Sequence, residues 1–413
     1  MEPRYWRDYN YPLLCCVLVL LTISLVAVYS ATLNAVTGLG TPLRTIFPNH
    51  IVTMTIGLAA MTAMTMLDYR LLSSLARPLY IGTIAVLGVV LVIGQVSEGA
   101  QSWIALGTRT FQPSEIAKIA LIIALAAYWQ RFEDRRNEWR VQFGALLVVA
   151  VPMGLIFLQP DLGTAMVFAT IWLCMAWAGG MTWQQFVVVC LLATPVLMLG
   201  WREVLDEEQK SRLATFYWLL SDPSRVDPDE GYNVIQALKA IGAGGLFGTG
   251  LTKGLLSQGN YIPVQHSDFI FAVIGEEMGF LGSLVLITFL ALLLWMTLGV
   301  AGRASDLFGR LIAVGVFAMI LAHVLINIGM NLSLVPVTGL PLPLISHGGS
   351  FMITVLAAIG LLQSVAMRRR RLSFGVCHEG HEAARLVVGG RAWQRGCNLQ
   401  SVLQSIEQRL YFA

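Results

Sequence analysis

Residues 11–32, YPLLCCVLVLLTISLVAVYSAT, contain no charged side chain. A helix needs about 20 predominantly apolar residues to cross a hydrocarbon core about 30 Å thick. No water exists there to satisfy bare backbone groups, so such a run must be helical or part of a closed barrel. Comparable apolar runs recur near 49–67, 77–96, 113–130, 141–159, 162–180, 184–201, 279–301, 309–330 and 348–367. Only 12% of the 413 residues are charged, about half the share of a soluble domain. No alternating pattern of lipid-facing strands competes with the helical reading. The sequence therefore predicts an all-α polytopic membrane protein of about ten helices.

The first run exceeds the roughly 7–15 apolar residues of a secretory leader, and only a weak small-residue pattern follows it, so it is read as the first span. Orientation follows from Arg in the short loops. With the N-terminus in the cytoplasm, Arg4, Arg7, Arg70, Arg77, Arg131, Arg135, Arg136, Arg140, Arg303, Arg310 and the run 368–371 all fall inside. The short outer loops keep Arg44 and Arg109. Both termini are then cytoplasmic. The membrane domain is placed at 1–371, with a large outer loop at 202–267 between the seventh and eighth spans, and a cytoplasmic tail at 372–413. That tail carries Leu399, Val402, Leu403, Ile406 and Leu410 at the spacing of an amphipathic helix. Four of the six cysteines lie inside apolar runs, where a thiol behaves as a small hydrophobe.

The unusual chemistry gathers on the outer side. In FQPSEIAK, Pro113 suits a first helical turn. Glu115 and Lys118 stand three apart on the same helix face. A charge deep in a bilayer costs about 2.5–3.5 kcal/mol on insertion scales, which favours their pairing around a polar cavity. The structural alternative is an ion pair that only fastens helices. Asp161, in QPDLGTA, lies in a tight outer turn and suits an N-cap. GTGLTKG lacks the spacing of a phosphate-binding loop, so no nucleotide site is expected; its glycines suit tight turns. PVTGLPLPLISHGGS, residues 336–350, is too rich in proline and glycine for a regular helix, so its backbone must be covered by protein or line a cavity. Asp268, in HSDFIF, stands where a polar loop gives way to apolar sequence. It is read either as an N-cap or as a general base whose pKa is tuned by burial and cations.

In this order and spacing, GAQSWI, FQPSEIAK, QPDLGTA, GYNVIQALKAIGAGGLFGTGL, HSDFIFAVIGEEMG and PVTGLPLPLISHGGS resemble the SEDS family of shape, elongation, division and sporulation proteins, typified by RodA, FtsW and SpoVE. The resemblance covers roughly residues 8–371. It implies a peptidoglycan glycosyltransferase of the bacterial cytoplasmic membrane that polymerises lipid II at its outer face. Asp268 takes the place of the essential aspartate, with Ser267 where Thr is commoner. Trp103, Arg109, Glu115, Lys118, Asp161, Ser346 and His347 fall on substrate-binding motif positions, His347 replacing the usual Tyr. The resemblance also implies a class B penicillin-binding protein as partner. It leaves room for a divalent cation, Mg or Mn, as cofactor. The stretch 251–271 is more like RodA than the division protein FtsW. No nucleic-acid partner is expected. The competing classes are a lipid II flippase, which should carry polar groups through the whole bundle, and a non-catalytic scaffold, which should tolerate loss of Asp268.

Overall fold

A computed structural model describes residues 8–34, 45–97, 100–106, 109–203, 207–222, 225–226 and 228–368. The side chains of 95–111 and 196–208, together with Cys377, Cys397 and the expected 399–410 helix, lie outside the described residues. The first seven helices are α1 (Tyr11–Leu33), α2 (Ile46–Met66), α3 (Leu71–Ile93), α4 (Pro113–Arg131), α5 (Trp139–Phe157), α6 (Leu162–Ala178) and α7 (Trp183–Glu203). The long connection that follows holds α8 (Glu207–Ser221), α9 (Pro228–Ala243) and the single turn α10 (Leu255–Gln258). The last three are α11 (Ile270–Arg303), α12 (Leu307–Asn331) and α13 (Gly349–Met367).

Among the described residues, α1, α2, α3, α5, α11, α12 and α13 are long and apolar enough to cross a membrane. The remaining apolar runs also form helices: α4 carries two charges near its start, and α6 is shorter. Local chemistry sets several starts. Asn10 Oδ1 accepts the Leu13 N–H before α1, Pro113 opens α4, and Asp306 Oδ2 accepts the Gly309 N–H before α12.

Residues 97–112, expected as a loop, instead hold strands. A three-stranded antiparallel sheet runs β1 (Gln95–Ser97), β2 (Ala100–Leu106) and β3 (Arg109–Phe111), with Gln95 opposite Trp103 and Leu106 opposite Arg109. The segments are far shorter than a membrane-crossing strand of about 9–11 residues, so a search for barrel strands passes over them. Aromatic and β-branched residues on both sides of Gly107 favour the hairpin.

Helices α12 and α13 are the most enclosed spans and α3 the least. The helices α2 and α13 pack along most of their length. Gly360 permits this: a Cβ there would stand 2.2 Å from the Met61 carbonyl oxygen. Close backbone approach at small residues is how helices associate where lipid supplies no hydrophobic drive between them.

Helix α11 starts at Ile270, earlier than the apolar run near 279–301 predicts, and is broken at Gly279 (φ 68°, ψ −164°). The glycine-rich segment after α9 fills the break. The N–H groups of Phe280 and Leu281 donate to the carbonyls of Gly245 and Leu246, at 2.9 and 3.1 Å. In return the Thr249 and Gly250 N–H groups donate to Glu276 and Glu277 carbonyls, both at 3.0 Å. The backbone groups freed by the break are thus satisfied by protein, the condition on which a discontinuous helix survives in a membrane. The Glu277 carboxylate accepts from the Ser30 hydroxyl of α1, and the Glu276 carboxylate accepts from the Leu256 and Ser257 N–H groups of α10. These two buried acids tie the long connection to the bundle.

Candidate functional site

The segment between α12 and α13 has no regular secondary structure, and the outer motifs meet on it. Asp268 lies in the turn before α11 and is 8% exposed. It does not cap that helix. The N-cap position falls to Phe269, which makes no side-chain capping bond. The Asp268 N–H donates to the Val264 carbonyl at 3.2 Å, and its Oδ1 accepts from the Ser267 hydroxyl at 2.9 Å. Its Oδ2 lies beside Gly339 (φ 70°), 3.5 Å from where a Cβ would stand.

Helix α12 holds this carboxylate's backbone. His323, Asn327 and Asn331 recur at intervals of four, so they share one face, and each is completely buried. Asn327 Nδ2 donates to the carbonyls of Asp268 (2.9 Å) and Leu340 (2.8 Å), and Asn331 Nδ2 donates to Asp268 at 3.0 Å. His323 Nδ1 meets the Pro341 carbonyl at 3.2 Å. A carbonyl only accepts, so Nδ1 carries the proton and Nε2 is left as an acceptor. It accepts from Lys118 Nζ at 2.9 Å. Lys118 also donates to both oxygens of Glu115, at 2.9 and 3.0 Å. The ion pair is therefore enclosed, with every ammonium proton committed. It fastens α4 to α12 through His323, and through His323 to residue 341.

Asp161 is the N-cap of α6, its Oδ1 accepting the Thr164 N–H at 2.9 Å. Its Oδ2 accepts from Gln112 Nε2 at 3.2 Å, while the Gln112 N–H donates to the Ser350 hydroxyl at 3.3 Å. The start of α6 presses on the same hub, for a Cβ at Gly163 would lie 2.9 Å from the Thr338 carbonyl. Ser346 Oγ donates to the Ser267 carbonyl at 2.6 Å and accepts the Leu342 N–H at 2.8 Å. The His347 N–H donates to the His266 carbonyl at 2.9 Å. The segments 264–268 and 340–350 are thereby zipped together on either side of Asp268.

The imidazoles of His50, His266 and His347 cluster behind this zipper, with ring centres 5.4 Å (His50–His347) and 5.9 Å (His266–His347) apart. Ser24 Oγ donates to the Ile345 carbonyl at 2.7 Å, so it accepts from His50 Nε2 at 2.9 Å. His50 Nδ1 is then the acceptor for His347 Nδ1 at 3.3 Å. Burial holds His266 down to about 4. His347 is pushed to about 3, first by burial and then by its two histidine neighbours.

Trp103 lies on β2 and Arg109 on β3, the strand leading into α4; their side chains lie outside the described residues. Among the described residues, the buried side-chain atoms without a hydrogen-bond partner are Ser114 Oγ, Asn327 Oδ1 and Thr338 Oγ1 near the hub, with Trp129 Nε1, Gln142 Oε1, Trp172 Nε1 and Gln265 Oε1. The described residues contain no group of three or more His, Cys, Asp or Glu disposed to hold a metal ion.

The polar stripe His323, Asn327 and Asn331 escapes the sequence reading because none of the three residues is an acid or a basic ion. The signal is present nonetheless: three hydrogen-bonding side chains at helical spacing within an otherwise apolar span.

The chain is similar to known proteins over most of its length. The model of the FtsW/RodA/SpoVE cell cycle protein family matches residues 11–371. The peptidoglycan glycosyltransferase MrdB of Escherichia coli K12 is 37% identical over 320 residues, 78% of this chain and 85% of that protein. A chain of a peptidoglycan synthase complex superposes with a TM-score of 0.72 at 30% identity, covering 87% of this chain and 98% of its own. The rod shape determining protein RodA of Thermus thermophilus does so with a TM-score of 0.64 at 29% identity, covering 88% of this chain and 98% of its own. With seven membrane-length helices among the described residues and a family match that runs the length of the bundle, this multi-pass membrane protein belongs to the FtsW/RodA/SpoVE family.

Proposed function

We propose that the chain is a peptidoglycan glycosyltransferase that polymerises lipid II at the outer face of the bacterial cytoplasmic membrane, in the manner of RodA in cell elongation. The single observation that carries the reading is the setting of Asp268. Its backbone is held by Asn327 and Asn331, its Oδ1 accepts from Ser267, and its Oδ2 lies beside Gly339.

Asp268 removes the proton from the 4-hydroxyl of the acceptor N-acetylglucosamine. That oxygen attacks C1 of the donor N-acetylmuramic acid as the C1–O bond breaks, and undecaprenyl pyrophosphate leaves with the electron pair. The configuration at C1 inverts. A positioned base contributes about 10²–10⁴-fold, and orientation of the two saccharides supplies much of the rest. Arg109 and Trp103, on the strands preceding α4, are assigned to the donor's pyrophosphate and sugar. Lys118 has its donors committed to Glu115 and His323, so we assign the pair to holding α4 against α12 rather than to the leaving group. Asp161 caps α6 beside the hub, and Ser346 and His347 zip the hub to the turn that carries Asp268. No step is routed through a divalent ion.

Sidedness follows the arginines. Arg70, Arg77 and Arg131 lie at the helix ends opposite Pro113 and Glu115, which supports an outer active face, cytoplasmic termini, and a cytoplasmic tail beyond a membrane domain at 1–371. The partner is a class B penicillin-binding protein, a reading supported by the synthase complex whose chain this one resembles. The test supplies labelled lipid II to the purified protein with that partner. Glycan strands from the wild type and none from Asp268→Ala are expected. Equal polymer from both would remove the base, and lipid transfer between leaflets without polymer would make the chain a flippase.

A further inference from the structure

At the end of the bundle remote from Asp268, α3, α4 and α5 line an open groove of about 770 Å³. Its walls are Ser73, Arg77 and Tyr80 of α3, and Ala127, Gln130 and Arg131 of α4. Sixteen residues separate Glu115 from Arg131 on one helix, a rise of about 24 Å, so this groove is spatially distinct from the site above. The polar groups lie toward the arginine-rich helix ends: the Ser73 hydroxyl donates to Gln130 Oε1 at 2.8 Å. Ala76, Ala124, Ala127 and Val148 make the rest of the wall apolar, and the Tyr80 hydroxyl is committed to the Val148 carbonyl at 2.8 Å.

Arg77 and Arg131 both line the groove, and among the described residues neither has an ion-pair or hydrogen-bond partner; Arg131 only lies over the Phe132 ring, 5.9 Å from its centre. By contrast, the neighbouring Arg135 is paired with Glu138 at 2.8 Å. The helix surfaces beside the groove are strongly apolar and exposed, with Ile81 at 66% and Leu147 at 68%, as expected where the face meets lipid tails. Two uncommitted guanidiniums at the mouth, hydroxyl and amide groups beside them, and an apolar floor opening on hydrocarbon together match one kind of occupant.

We propose that this groove binds an anionic glycerophospholipid, its phosphate held by Arg77 and Arg131 and one acyl chain lying on Tyr80 and Ala127. Basic pockets between membrane helices recognise acidic headgroups through the same complementarity, and arginine suits phosphate because its planar fork bonds two oxygens at once. The inference stands apart from the glycosyltransferase reading, since it concerns binding at the opposite end of the bundle.

The test titrates the purified full-length protein in phosphatidylcholine nanodiscs with phosphatidylglycerol and counts retained lipid by native mass spectrometry. Each arginine near an anionic surface contributes enough that Arg77→Gln should weaken phosphatidylglycerol binding about fivefold, and Arg77→Gln with Arg131→Gln about thirtyfold. Lysine at both positions should recover most of the affinity. The pair Arg136→Gln and Arg140→Gln removes equal charge from the same end, outside the groove, and should change little. Ala127→Trp fills the floor and should lower binding with both arginines present, with the melting temperature confirming that it folds. Equal losses from the two arginine pairs, or an Ala127→Trp variant that binds normally, would overturn the site. Displacement of the lipid by equimolar inorganic phosphate would overturn the lipid as its occupant.

Discussion

Asn327 places its side-chain nitrogen 2.9 Å from the carbonyl oxygen of Asp268 and 2.8 Å from that of Leu340, so one buried amide sets the distance between the carboxylate's turn and the proline-rich hub. Removing it leaves Leu340 without that donor, at a cost of about 1–3 kcal/mol for a buried acceptor. Asp268 keeps its bond from Asn331. Asn327→Ala should therefore fold while the carboxylate drifts from its line of attack. A misplacement of about 1 Å costs about 10²-fold in rate, so a 10–100-fold drop in kcat is expected with KM little changed. Asn331→Ala should do less, because Asn327 still spans both carbonyls. Initial rates of glycan formation from labelled lipid II decide the matter. A normal rate in a folded Asn327→Ala protein would sever the proposed link between α12 and the base.

Lys118 and Glu115 test whether a buried charge pair positions a site or merely survives in it. Breaking such a pair from one side costs about 3–5 kcal/mol, because the remaining charge stays buried and uncompensated; replacing both partners by apolar groups is close to neutral. Lys118→Met alone should thus lower the melting temperature markedly. Glu115→Leu with Lys118→Met should recover most of it, yet polymerise poorly, since His323 has lost the donor that fixes its ring against Pro341. Wild-type rates from the stable double variant would show that the pair is purely structural.

How much of this was legible beforehand depends on what each signal measures. Charge-free length marks a membrane helix without any knowledge of packing, so α1, α12 and α13 stand close to where the apolar runs put them. The break at Gly279 was not legible. Its cause is a partner segment, 244–250, whose approach no local pattern encodes. The β1–β3 sheet was missed because hairpins this short leave little periodicity. At the site, Asp268, Glu115 and Lys118 stand out as ions in apolar surroundings, whereas Asn327 and His323 were overlooked as neutral residues. Their spacing puts them on one helix face, but only the fold shows that this face is aimed at the hub.

Gly248 gives the inserted segment a sharp test. It adopts φ +82°, and a Cβ there would stand 2.1 Å from the Glu277 carbonyl oxygen. Nothing flexible can yield, because the obstructing atom is backbone. Gly248→Ala should cost more than about 2 kcal/mol, from left-handed strain of about 1–3 kcal/mol with the clash added. Gly242, in α9, meets nothing within 4 Å. Alanine there should be neutral or stabilising by up to about 1 kcal/mol through helix propensity. Thermal melts of the two variants in the same detergent should therefore move in opposite directions. A Gly248→Ala protein that melts with the wild type would mean that the segment does not sit in the break.

Acid should loosen the protein through His266 and His347. Burial holds their folded-state values at about 4 and about 3, whereas an unfolded histidine titrates near 6.5. Between those limits the unfolded chain binds more protons than the folded one, so stability rises with pH. The contribution is complete above pH 6.5 and is lost as pH falls toward 4. Each fully buried histidine would contribute a slope of up to about 1.4 kcal/mol per pH unit. Both rings keep some solvent contact, which reduces the expected loss to about 1–2 kcal/mol for the pair between pH 7.5 and 5.5, a fall of about 1–2 °C in melting temperature for a chain of this length. Replacing both by Asn removes the titrating rings and should flatten that slope, even though the starting melting point drops with the loss of the His347–His50 bond. A wild-type protein whose melting point is level across this range, or a double variant that keeps the full slope, would show that the histidine cluster is not held neutral behind Asp268.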